Sequence, residues 1–130
     1  GAGTALALNY DQEGEGAFMA NVDYLLKIKG FATGGVFYAR MDQGPEGMTL
    51  SGMGAAFQAS YLVAQRWQPA VRYELFMPQD DSGDVHVVTA GLGAHISKHR
   101  HVKWQLDASA VLNPSGNHDY WVRTQLQLMF

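Results

Sequence analysis

From Thr4 onward, apolar and polar residues alternate with a period of two in run after run, and clusters of turn-type residues interrupt the pattern at regular intervals. Side chains alternate across a strand, whereas a helix repeats every 3.6 residues, so a chain patterned this way favours strands with two unlike faces. The interruptions divide it into strands expected at residues 3–11, 16–28, 31–42, 48–63, 67–76, 85–96, 102–112 and 120–130. The last segment sets the phase: Tyr120, Val122, Thr124, Leu126, Leu128 and Phe130 share one face, and Trp121, Arg123, Gln125, Gln127 and Met129 share the other. Val102, Trp104 and Leu106 against Lys103, Gln105 and Asp107 repeat it, as do Phe18, Val22, Tyr24 and Leu26 against Asn21, Asp23 and Lys27. One face is apolar throughout and the other carries the charge.

Only 16% of the 130 residues are charged, against about 25% in ordinary soluble domains. A net charge of −3, without a basic stripe bearing interleaved aromatics, points away from nucleic acid. With no cysteine, disulfides, thiolate metal sites and thiol nucleophiles are excluded. Gly1 leads straight into strand-like sequence, so any signal peptide is expected to have been removed. The uncharged run 47–65 is long enough for a spanning helix, but its glycines, polar residues and alternation argue against one. One domain over residues 1–130 is expected.

An alternating sheet could belong to a soluble protein or to an outer-membrane barrel. The connections around 11–15, 42–47, 77–84 and 113–119 read as longer than those at Lys29-Gly30, Ala64–Arg66 and Ser97–His101, as in barrels with long external loops and short periplasmic turns. The long set holds Asp11, Glu13, Glu15, Asp42, Glu46, Asp80, Asp81, Asp84 and Asp119 and no Lys or Arg; the short set collects Lys29, Arg66, Lys98 and Arg100. Outward aromatics gather toward strand ends: Phe31, Tyr61, Trp67 and Trp104 at one end, Tyr10, Tyr73 and Tyr120 toward the other, the pattern of an aromatic girdle. The final strand, with Tyr120, Val122, Leu126, Leu128 and Phe130 in phase, resembles the C-terminal signal that such barrels present to the outer-membrane insertion machinery. The expected architecture is therefore an all-β, eight-stranded antiparallel transmembrane up-and-down β-barrel with short periplasmic turns, in a bacterial outer membrane, in contact with lipid and lipopolysaccharide.

The stretch Ala55-Ala56-Phe57-Gln58-Ala59-Ser60-Tyr61-Leu62-Val63, then Gln68-Pro69-Ala70-Val71-Arg72-Tyr73, and the final hairpin resemble the C-terminal portion of the phosphate-selective porin O and P family. The resemblance implies a porin-type barrel with anion-selecting basic residues in its pore, generally trimeric. This chain is far shorter than such porins and has no room for a long constriction loop.

The expected lumen network is Asp23, Lys27, Arg40, Arg72, Glu74, Lys103, Asp107 and Arg123. Acids and bases in a narrow lumen should pair, because an unpaired buried charge is costly. The network reads either as a plug or as a selective path. Gly34, Gly52, Gly54, Gly91 and Gly93 also fall on the inward face, leaving space for Trp121, Tyr38 or an arginine, or marking bends. Pro69 stands inside the fifth strand, where it removes a ladder hydrogen bond.

Catalysis finds little footing. Ser109, His95 and Asp107 lack a nucleophile elbow; His99 and His101 lack a third metal ligand; and the acidic loops lack the ligand spacing of a calcium site. No enzymatic activity, cofactor or metal is expected. The sequence thus predicts passive passage of small solutes or anions if the lumen is open. A side-chain-plugged structural barrel and a soluble lipocalin-like ligand-binding barrel are the alternatives, and the chain could be a complete small barrel or a piece of a larger porin.

Overall fold

A computed structural model of the chain describes residues 2–12, 17–44, 47–79, 83–96 and 102–128. Eight strands follow one another: β1 (Ala2–Gln12), β2 (Ala17–Ile28), β3 (Phe31–Gly44), β4 (Gly47–Tyr61), β5 (Trp67–Pro78), β6 (Val85–His95), β7 (Val102–Leu112) and β8 (Asp119–Leu128). They lie in one sheet in chain order, and each pairs antiparallel with the next. This is the up-and-down meander that the alternation predicts.

The turns follow from backbone chemistry. Lys29 (φ 46) and Gly30 (φ 88) both take the left-handed region, the form whose twist matches that of the strands it joins. Ala64 (φ 48) and Gln65 (φ 56) do the same without a glycine, closed by Arg66 N–H donating to Val63 C=O at 3.0 Å. β4 stops at Tyr61 rather than at the expected residue 63, because Leu62 N–H donates to Gly30 C=O at 2.9 Å and Val63 bridges Trp67 around the turn.

The expected contrast in connection length is only partly realised. A bulge at the Arg40/Met41 step carries the β3–β4 pairing out to Gly44↔Gly47, so this connection shrinks to residues 45–46 instead of spanning 42–47. Residues 96–101, between β6 and β7, match residues 113–118, between β7 and β8, in length. Of the loop charges, Glu13, Glu15, Glu46, Asp80, Asp81, Lys98 and Arg100 lie outside the described residues, as do His99, His101 and Phe130. Pro69 sits one residue beyond the last β4–β5 pair, Ser60↔Ala70, where the ladder to β4 has already ended.

Each strand touches only its neighbours in sequence, so the sheet is a single layer. The burial this allows is slight: Ala56 and Ala94 are the buried hydrophobic side chains among the described residues. The accessible surface is 9193 Å², against about 6,800 Å² for a compact monomer of this mass. Among the described residues β1 and β8 do not pair, so the ring expected from the sequence is open along that seam.

Register also reveals a stagger. One row of cross-strand partners runs Gly3, Lys27, Ala32, Ser60, Ala70, Gly91, Asp107, Arg123. Another runs Ala7, Asp23, Val36, Ala56, Glu74, Val87, Val111, Asp119. Residues 8–12 of β1 extend past the second row, where β8 begins; residues 125–128 of β8 extend past the first, near where β1 begins. The strands slide progressively, as inclined strands must.

Candidate functional site: a charged concave face

Because every ladder keeps phase except at the Arg40/Met41 bulge, the rows separate the residues into two faces. All of Asp23, Lys27, Arg40, Arg72, Glu74, Lys103, Asp107 and Arg123 stand on the same one. This face curls into a concavity of about 380 Å³, lined by Lys27 of β2 and by Arg123 of β8, with Gln58, Arg72, Lys103 and Asp107 between them. Residues from opposite flanks of the sheet share one cavity only because the sheet bends toward its polar side. The wall between them is built from small residues, Ala32, Ser60, Ala70, Gly91 and Gly93, which leave the volume unfilled.

The arginines are matched to acids. Arg123 Nη2 meets Asp107 Oδ2 at 2.9 Å across β7 and β8, and Gln105 Nε2 donates to both carboxylate oxygens at 3.0 Å. Arg72 Nη2 meets Glu74 Oε1 at 2.8 Å, two residues along the same strand and hence on the same face. Arg40 Nε reaches Asp42 Oδ1 at 3.1 Å. The last pair was hidden in the sequence, where Asp42 read as a loop acid; the bulge prolongs β3 and makes it a strand residue. By contrast, neither Lys27 nor Lys103 has a carboxylate within ion-pair distance among the described residues.

Glycines admit neighbouring side chains to the backbone. The Tyr38 ring lies over Gly54, so that a Cβ there would overlap it. A Cβ on Gly91 would fall 2.5 Å from Asp107 Oδ1, and one on Gly93 2.8 Å from Lys103 Cε. Of the guests expected from the sequence, Tyr38 is correct; Trp121 and the arginines are replaced by Asp107, the direct cross-strand partner of Gly91, and by Lys103, two residues along β7 from Gln105, the partner of Gly93. Ser109 is hydrogen-bonded to Thr89 at 2.8 Å, and Asp107 is engaged by Arg123 and Gln105, so these two groups are held in separate interactions.

The opposite face is apolar and open. Tyr24, Phe37, Phe57, Val71, Val88 and Val122 are exposed along the middle of the strands. Of the expected girdle, Phe31, Tyr61, Trp67, Tyr73 and Tyr120 are exposed on this face, and Trp104 is half-buried there, donating its indole N–H to Thr124 at 2.9 Å. Tyr10 stands opposite Ala20 in the same register row set. Tyr73 departs from the expected end position: it lies mid-β5, its hydroxyl 2.7 Å from His86 Nδ1 and its ring stacked on the imidazole. At the turn end, the Arg66 guanidinium lies 5.6 Å over the Trp67 ring. Tyr120, Val122, Leu126 and Leu128 form an exposed apolar row on β8.

No family model, curated protein or solved structure matched the chain. The resemblance to phosphate-selective porins therefore rests on the quoted residues alone.

Proposed function

We propose that this chain forms the wall of an outer-membrane β-barrel, with the apolar face toward lipid and the charged concave face enclosing a passive path for small anions. The observation that carries the reading is the single-layer sheet with one continuous exposed apolar face. In water such a patch far exceeds what monomeric proteins leave uncovered; against lipid tails it is the surface that is required. Closure of β1 onto β8 completes the wall, since an open strand edge in hydrocarbon leaves backbone groups unsatisfied at several kcal/mol each. The stagger supports this, because it brings residues 8–12 of β1 and 125–128 of β8 into the offset that inclined strands need to meet.

With Arg72 and Arg123 paired to acids, Lys27 and Lys103, which have no ion pair among the described residues, give the lining of the concavity an excess of positive charge and favour anions. No step of covalent chemistry and no cofactor enters this reading. The test is to refold the full chain into lipid, establish a heat-modifiable folded band on gels, and record single channels across a salt gradient. An anion-selective reversal potential supports the path. A folded barrel without current replaces it with a plugged, structural barrel, for which the hydrogen-bonded cluster of Asp107, Arg123 and Gln105 beside Gly91 is the favouring observation. A chain that folds and stays monomeric in water without detergent overturns both.

A further inference from the structure

Charges on the concave face are ordered along the strands. At the end marked by the Lys29-Gly30 and Ala64-Gln65 turns stand Lys27, next to last in β2, and Lys103, second in β7, with Lys29 and Arg66 in the turns themselves. The middle of the strands holds the two compensated pairs, Arg72–Glu74 and Arg123–Asp107, together with Asp23 of β2. At the opposite end Asp119 opens β8, Asp84 immediately precedes β6, and Asp42 is engaged by Arg40. One end is basic, the centre carries two ion pairs and Asp23, and the other end is acidic.

The separation of these ends decides whether they act independently. From Gln127, the cross-strand partner of Lys103, to Asp119 the strand rises about 27 Å, and a tilt near 40° leaves roughly 21 Å along a barrel axis. The screening length at physiological salt is about 8 Å. Each end therefore sets the ion content of its own mouth without being cancelled by the other.

Resting on the barrel reading above, we infer that the path is bipolar and rectifies: ions enter readily in one direction of applied voltage and poorly in the other. One polarity drives anions in through the lysine mouth and cations in through the aspartate mouth, which fills the lumen with carriers. The reverse polarity draws both kinds outward and depletes it. Lys27 and Lys103 govern one mouth and Asp119 the other, while the paired arginines contribute little to the asymmetry.

The test is the current–voltage relation of single channels of the refolded full chain in symmetric 0.1 M KCl, single channels being used so that mixed orientations do not average the effect away. Currents at opposite polarities are expected to differ by a factor of about two, and to become equal near 1 M salt, where the screening length falls to about 3 Å. The double variant Lys27→Gln/Lys103→Gln, whose lysines hold no ion pair among the described residues, is expected to equalise the currents at low salt, and Asp119→Asn to reduce the ratio. Steady channels with equal currents at both polarities in 0.1 M KCl overturn the inference while leaving the conduit reading intact. Absence of any current from a folded barrel overturns the conduit reading and this inference together.

Discussion

Asp107 and Arg123 face each other across the β7–β8 ladder in very different surroundings: the aspartate side chain is 9% exposed and the arginine 69%. The pair is thus a buried anion held by a cation that remains in solvent.

Removing the cation should be worse than removing the pair. Arg123→Ala leaves the Asp107 carboxylate with Gln105 as its remaining side-chain donor and is expected to cost about 1–2 kcal/mol, discounted for the exposure of the arginine. Adding Asp107→Asn in that background should recover part of the loss. Urea titration of the refolded protein, run as a double-mutant cycle, checks the sign: a coupling energy of zero would mean that the pair is ornamental to stability.

Gly54 and Tyr38 should be coupled in the opposite sense. Because the tyrosine ring occupies the space above the glycine, Gly54→Ala is expected to destabilise by about 1–3 kcal/mol through overpacking. With Tyr38→Ala already present, the same glycine change should become neutral or stabilising, since glycine weakens a strand interior. Equal penalties in both backgrounds would remove the ring contact as the cause.

Val71, 60% exposed mid-strand on the apolar face, separates a lipid surface from a watery one. Val71→Arg should cost about 2–4 kcal/mol if that face meets the centre of a bilayer. A surface substitution in water stays within about 0.5 kcal/mol. Stability measured in vesicles decides between the two.

The tryptophans report the faces optically. Trp67 and Trp104 stand on the apolar face and Trp121 on the charged one. In variants retaining one tryptophan each, brominated lipid should quench Trp67 and Trp104 strongly and Trp121 weakly. Equal quenching of all three would contradict the lipid orientation.

Strand positions and face assignment were legible because both depend on a period of two that Arg72 and Glu74, or Lys103 and Gln105, display without reference to anything distant. Every residue of the expected charge network falls on one face for that reason. What the residues did not reveal depends on register between strands. The bulge opposite Arg40 turned an apparent loop around Asp42 into strand, and no local pattern around Ser51 announces it. The guests of Gly91 and Gly93 were missed for the same cause: a glycine advertises space, but only cross-strand alignment says whose side chain fills it. The seam between β1 and β8 is the most distant relationship of all, and alternation within either strand carries no information about it.

That every ladder joins consecutive strands has a kinetic consequence. Each hairpin closes over a handful of residues, so the meander can zip forward from any nucleus with little loop entropy lost at each step. A seam between the first and last strands would instead close a loop of roughly a hundred residues, about 3 kcal/mol dearer in entropy than a tight hairpin by the logarithmic law. In the proposed barrel, closure would therefore be the slow, final event of assembly, and the species preceding it would be a curled ribbon with two live edges, the form that an insertion catalyst or a stray neighbouring strand would encounter.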